Sequence, residues 1–254
     1  MEAATIQLHN LTLGYDRHPA VHHLSLTIPA GAKVAIVGPN GAGKSTLIKA
    51  LAGQLRPIQG RLEGLGRRRI AYMPQQTSLD RSFPISVQDM VAMGLWHEVG
   101  AWGRFSASQL ERCRQALAAV GGAGFEQRLL DTLSGGQFQR ALFARLMLQD
   151  APVVLLDEPF AAVDARTTTD LLALLGRWHH QGKTVVAVLH DQVQVCAHFD
   201  YTLMLARELV AWGPTAEVMT EGNWPRAQAM HEAFDESAPV CLADVAGREQ
   251  VPTP

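Results

Sequence analysis

The chain has 254 residues, 47% of them hydrophobic, enough to build one large domain or a domain with an inserted lobe. Its 24 acidic and 22 basic residues leave a formal charge of −2, which argues against a nucleic-acid partner and against an acidic tail. Three scattered cysteines, Cys113, Cys196 and Cys241, make neither a CxxC pair nor an even set, so a reducing compartment is expected and a disulfide framework is not.

The N-terminus, MEAATIQLHN, has no basic stretch followed by an apolar core, and no signal peptide is read there. The longest apolar runs, such as Val153–Leu156 and Val185–Leu189, fall far short of the roughly 20 residues of a spanning helix, so the chain is not expected to cross a membrane by itself. The histidine pairs His22–His23 and His179–His180 are adjacent rather than spaced for a helical metal site, and they read as surface or loop residues.

Residues 5–28 alternate apolar and polar through Ile6, Leu8, Leu11, Leu13, Leu24, Leu26 and Ile28, the pattern of antiparallel strands turning near Asp16–Pro19. Lys33–Val37 is a short, nearly all-apolar strand, and a helix is expected over Ser45–Ala52. Arg61–Leu65 and Ile70–Met73 read as further strands. From Thr77 to Thr132 the texture turns helical: Ser86 with Asp89 caps one helix, and Ser108 with Glu111 reads as the capping box of another. A helix over Gly135–Gln149 follows, then a buried strand at Val153–Leu156, a helix at Thr167–His180, a buried strand at Thr184–Leu189 and a hairpin of Tyr201–Leu205 with Glu208–Ala211. Strands alternating with helices predict an α/β fold with a largely parallel sheet and helices on both faces. Past Pro225 the sequence carries little signal, and disorder is expected from Glu236.

Two glycine motifs carry the chemistry. Gly38, Pro39, Asn40, Gly41, Ala42, Gly43, Lys44, Ser45 and Thr46 fit GxxxxGK[ST] between a strand and a helix, the context of a phosphate loop. Glycines let backbone N–H groups turn toward phosphate oxygens, and the helix N-terminus adds positive potential. Lys44 is placed to reach the β- and γ-phosphates, and the Ser45 hydroxyl to ligate Mg²⁺. The second motif, Leu133, Ser134, Gly135, Gly136 and Gln137, is another glycine-rich turn, far away in the chain. Asp157 and Glu158 end a buried strand at the ligand edge expected of such a sheet. Asp157 suits the Mg²⁺ site, and Glu158 is placed to polarise an attacking water. His190 ends the next apolar strand, and Gln75 follows Ile70–Pro74; each is weak by itself and gains weight from its company. Tyr15 reads either as a stacking surface for adenine or as a strand-end core aromatic.

In order and spacing, Tyr15, Gly38–Ser45, Gln75, Leu133–Gln137, Val153–Glu158, Asp164 and His190 resemble the ATPases of ABC transporters over residues 5 to about 222. The resemblance implies a P-loop NTPase core with an N-terminal antiparallel β-subdomain at 1–76 and 150–222, a helical signature lobe at 77–149 and a tail at 223–254. It implies ATP and Mg²⁺ as ligands, with Ser45, Gln75 and Asp157 about the metal. It also implies a head-to-tail homodimer sandwiching two ATP, each held between the phosphate loop of one subunit and Ser134–Gly136 of the other, with Asp164 beside it. The partners implied are membrane permease subunits and, indirectly, an extracytoplasmic solute-binding protein. The location implied is peripheral, on the cytoplasmic face of the bacterial inner membrane.

Met73–Gly94, with its Phe83-Pro84 step, and Pro159–Asp164, with Val163-Asp164, are similar to the ATPases of zinc and manganese importers, Leu79–Pro84 being closest to the zinc group. Ala162 stands where that group has glycine. Iron–siderophore, haem and cobalamin importers are the neighbouring alternatives. A soluble ABC ATPase acting on DNA or ribosomes fits less well, since one short-lobed cassette has neither a second cassette nor a basic excess.

Overall fold

The computed structural model describes residues 5–15, 18–66, 69–75, 80–100, 103–161 and 163–232. Along the chain these form β1 (Ile6–Tyr15), β2 (His18–Ile28), β3 (Lys33–Val37), α1 (Lys44–Leu51), β4 (Gln59–Glu63), β5 (Ile70–Met73), α2 (Val87–Ala92), α3 (Trp96–Val99) and α4 (Ala107–Ala119). They continue as α5 (Gly135–Gln149), β6 (Val153–Asp157), α6 (Ala165–His180), β7 (Thr184–Val188), α7 (Gln192–His198), β8 (Tyr201–Ala206), β9 (Glu208–Pro214), α8 (Thr215–Val218) and α9 (Asn223–Glu232).

Strand composition decides the layering. A six-stranded sheet runs β5-β6-β7-β3-β8-β9, with β9 antiparallel to β8 and the remaining neighbours parallel. Its central strands are apolar throughout because both faces are covered. Val34, Ile36, Val153, Leu155, Val186 and Val188 point into one core, which α1 shares with the antiparallel sheet β2-β1-β4. Ala35, Val37, Val154, Leu156, Val185 and Ala187 point into the other, filled by α2, α4, α5 and α6. Side chains alternate with period two along a strand, so a strand between two cores needs apolar residues at every position. This is the α/β P-loop NTPase fold with a largely parallel sheet and a separate antiparallel sheet built from the N-terminal strands.

The structure departs from the sequence reading in several places, and α7 and α8 occupy stretches where no helix was expected. The capping box of α4 is Ser106 with Gln109, not Ser108 with Glu111: the Ser106 hydroxyl accepts from the Gln109 N–H at 3.3 Å, and the Gln109 amide oxygen accepts from the Ser106 N–H at 3.0 Å. Gln reaches back to the cap as well as Glu does, so the box fits one turn start as readily as the other. The strand expected at Arg61–Leu65 begins earlier, at Gln59, because β1 pairs Thr12 with Gln59 and Gln7 with Glu63. Helix α9 occupies ground the sequence left blank; Ala227 is fully buried and Trp224 and Met230 pack on the core. Residues 233–254, with Cys241, lie outside the described residues, as do Gln76–Leu79 and Ala162.

The seam between α5 and α6 is a sensitive point. Phe143 is fully buried and stacks on Trp178, ring centres 6.0 Å apart. Phe143→Ala is expected to destabilise the protein by about 3–5 kcal/mol through lost transfer energy and the cavity left behind. Urea unfolding checks this; a loss below about 1 kcal/mol would mean that the seam collapses around the gap.

Candidate functional site

Parallel pairing gathers the chemistry at one edge. The register sets Ile36 beside Val188, Asp157 beside Val188 and Met73 beside Leu156. The segments that leave the carboxyl ends of β3, β5, β6 and β7 therefore open side by side. They carry Gly38–Thr46, Gln75, Glu158 and His190, and this edge is where open α/β sheets hold ligands.

The phosphate loop is shaped by glycines in conformations other residues resist. Gly38, Gly41 and Gly43 have φ of 147°, 80° and 88°. A Cβ on Gly38 would stand 1.9 Å from the Leu205 carbonyl oxygen, and one on Gly43 would stand 2.5 Å from that of Ala20. Gly43 is also the residue before α1, so the helix N-terminus opens onto the loop. Ala20, Asn40, Gly41, Ala42, Gly43, Lys44, Ser45, Thr46 and Glu158 line one concavity.

Lys44 reaches back across that loop and donates to the Gly38 and Pro39 carbonyls at 2.9 and 2.7 Å. Its side chain is buried, which pulls the ammonium below the ordinary lysine value, and the nearby Glu158 and Asp157 carboxylates oppose the shift. The Ser45 hydroxyl donates to Asp157 Oδ1 at 3.0 Å. Burial pushes the Asp157 carboxyl above the usual aspartate value, while the Ser45 hydrogen bond works against this.

Glu158 is the hub. Its φ is +51°, a left-handed conformation that costs a non-glycine residue roughly 1–2 kcal/mol. Its two carboxylate oxygens are held from opposite sides: the Gln75 amide Nε2 donates to Oε2 at 2.9 Å, and His190 Nε2 lies 2.8 Å from Oε1. Glu158 also borders a second hollow with Phe160, Leu189, His190 and Gln194. The geometry thus joins a phosphate-sized cradle, one cation, a hydroxyl–carboxylate pair of hard oxygen donors and a positioned carboxylate.

The remaining predicted residues lie elsewhere. Ser134 is the N-cap of α5, in a reciprocal box with Gln137, and it faces solvent. Asp164 caps α6, accepting from the Thr167 N–H at 2.9 Å and from its hydroxyl at 2.8 Å. Gly136 sits beside it: a Cβ there would meet Asp164 Oδ2 at 3.5 Å. Neither Ser134–Gln137 nor Asp164 lines the phosphate-loop concavity. Tyr15 ends β1, half exposed, with the Lys49 ammonium 5.9 Å from its ring centre. Two residues near the loop escaped the sequence reading. Ala20 contributes a backbone wall, and His231 of α9 has Cε1 3.2 Å from the position a Cβ on Gly41 would take. Neither belongs to a motif, and no local pattern marks them.

Comparison with known proteins agrees with this arrangement. The ABC transporter family profile matches residues 21–161. The manganese transport system ATP-binding protein MntB of Bacillus subtilis is 39% identical over 224 residues, covering 86% of this chain and 90% of that one. The zinc transport system ATP-binding protein TroB of Treponema pallidum is 39% identical over 231 residues, covering 89% and 87%. Among solved structures, the dimeric, ADP- and phosphate-bound ATP-binding cassette MJ0796 superposes with a TM-score of 0.73 at 26% identity, over 83% of this chain and 98% of that one. A phosphate loop, a buried strand ending in Asp157-Glu158 and the family match together place the chain in the ABC transporter family, as one of its ATP-hydrolysing ATP-binding subunits.

Proposed function

We propose that this protein powers uptake of a divalent metal ion, zinc first and manganese next, by hydrolysing ATP on the cytoplasmic face of a bacterial membrane. The observation that carries the chemistry is the double grip of Gln75 and His190 on Glu158 beside the phosphate loop. In this reading the loop N–H groups of Gly38–Thr46 and the Lys44 ammonium bind the phosphates, and Tyr15 stacks on the base. Glu158 accepts a proton from the attacking water, while His190 and Gln75 hold the carboxylate in line.

Mg²⁺ fits the donors present. Ser45 and Asp157 supply adjacent oxygens, and Gln75, gripping Glu158 through its nitrogen, brings an amide oxygen to the same sheet edge. Among the described residues no group of three His, Cys, Asp or Glu could hold a metal, which suits an ion held by few protein oxygens plus water and phosphate. When bound there it would neutralise charge on the phosphates.

The exposed signature turn supports a pair of subunits. Ser134–Gln137 presents a helix N-terminus away from its own phosphate loop, which suits a nucleotide held on the partner. A dimeric cassette bound to ADP and phosphate supports pairing; in this reading two chains pack head to tail as a homodimer around two ATP, with Asp164 close to the partner's nucleotide. No helix of the described residues is long and apolar enough to span a membrane, so transport calls for separate permease subunits. Phe83 and Trp96, more than half exposed on the helical side, offer apolar surface for them. An extracytoplasmic solute-binding protein would deliver the ion to that permease.

The metal cargo rests on the relatives named for manganese and zinc transport and on the Met73–Gly94 segment. Deleting the gene is expected to impair growth under zinc or manganese limitation, with rescue by the limiting metal. Growth unaffected by either metal, but impaired when iron is supplied only as a chelate, would transfer the cargo to that class.

A further inference from the structure

The segment that follows Gln75 is laced to the segment that precedes the signature turn. The Leu130 N–H donates to the Ile85 carbonyl at 3.2 Å, Val87 N–H to Arg128 at 2.9 Å and Gln88 N–H to Glu126 at 3.0 Å, around a β-bridge between Ser86 and Leu129. At the head of this lacing stands Arg81. Its Nη2 donates to the Leu130 carbonyl at 3.2 Å and also to the Leu133 carbonyl. Its guanidinium carbon lies 4.7 Å from the centre of the Phe138 ring.

These contacts bracket the signature turn. Leu130–Thr132 is a single 3₁₀ turn, Leu133 follows it, and Ser134 caps α5. One guanidinium nitrogen shared by the carbonyls at either end of that turn fixes their separation. The stacked contact with Phe138, one turn into α5, fixes the direction in which the helix starts. A guanidinium on a long stem suits this task, since one of its nitrogens donates to both carbonyls while its carbon lies over the Phe138 ring; a lysine ammonium has donors enough for two carbonyls but no planar group to set against the ring. The exposed Ser134 and the start of α5 are thereby held in a set geometry, and a site arranged in advance binds an anion better than one that must first be ordered.

We propose that Arg81 is a positioning residue for the composite nucleotide site: it holds Ser134 and the N-terminus of α5 in the arrangement that closes on the partner's ATP. Its chain segment begins at Gln75, whose amide grips Glu158. One stretch of one subunit therefore ends at its own hydrolytic carboxylate and at the turn that serves the other subunit. The proposal rests on the paired-subunit reading above.

Two substitutions separate its parts. Arg81→Met keeps an apolar stem over Phe138 and removes the donors; Arg81→Lys keeps the charge and donors on a shorter reach but loses the planar group. Each is made in the Glu158→Gln background, and ATP-driven pairing is measured by sedimentation. Binding of a fluorescent ATP analogue to the dilute monomer is measured in parallel. Arg81→Met is expected to weaken pairing at least tenfold while monomer nucleotide affinity stays within twofold, with Arg81→Lys intermediate. A role confined to folding would lower both together and shift the thermal midpoint. Pairing of Arg81→Met as tight as its parent, or parallel loss of monomer binding, overturns the role of Arg81. Failure of Glu158→Gln itself to pair with ATP overturns the paired reading, and the role of Arg81 with it.

Discussion

Glu158→Gln is expected to bind ATP normally and turn it over about 10²–10⁴-fold more slowly, the usual contribution of a positioned general base. The substitution is nearly isosteric and leaves the left-handed backbone at this position to be held by the same neighbours. The carboxylate now accepts from Gln75 on one oxygen and faces His190 on the other. A glutamine keeps one acceptor and turns the other into a donor, so one of the two grips is retained and the proton acceptor is lost. Phosphate release under single-turnover conditions measures the chemical step, and equilibrium binding measures affinity. A fall in rate with unchanged affinity identifies an interaction made in the transition state. Turnover within about threefold of the parent, against the loss expected of a general base, would remove Glu158 from the role of water activation. Slow hydrolysis is also expected to make the ATP-bound pair long-lived, because the nucleotide that bridges two subunits is not consumed.

What was legible in the sequence was what depends on short spacing. Gly38–Ser45 reads as a phosphate loop from a single turn of chain and helix, and the structure curls it through positive-φ glycines around Lys44, as that reading requires. Asp157, Glu158 and His190 were placed by a simple rule: apolar strands buried on both faces run parallel, and whatever follows them meets at one edge. Other features depend on where distant segments come to rest. Arg81 lies in a loop with no periodicity, and its partners Leu130 and Leu133 are 49 and 52 residues away. His231 approaches Gly41 only because α9 buries Ala227 on the sheet. The shift of the capping box from Ser108 to Ser106 has a different origin. Two overlapping serine-led patterns compete locally, and both start the same helix with Cys113, Ala116 and Leu117 on its inner face, so the apolar pattern does not separate them.

Lys44→Ala is expected to weaken ATP binding by roughly 100-fold, about 3 kcal/mol, the order of a lost charge-assisted hydrogen bond to a buried group. The structure gives a reason for so large an effect. The Lys44 ammonium donates to the Gly38 and Pro39 carbonyls of its own loop. Those bonds curl the loop over its own lysine and hold the intervening N–H groups in a fixed arc, so the side chain is an internal strut as well as the proposed phosphate ligand. Removing it takes away the charge proposed to meet the phosphates and one of the cations near Asp157 and Glu158, Lys49 remaining near Asp157. With less positive charge beside them, these carboxylates would repel a polyphosphate more strongly, which adds to the loss. Lys44→Arg tests the strut separately, since it keeps the charge but brings a fork too broad for the same two carbonyls. Titration with a fluorescent ATP analogue measures both variants. Lys44→Ala binding within about threefold of the parent, against the expected loss, would contradict the phosphate-loop assignment. Recovery of full affinity by Lys44→Arg would show that charge alone, and not the strut, sets the affinity.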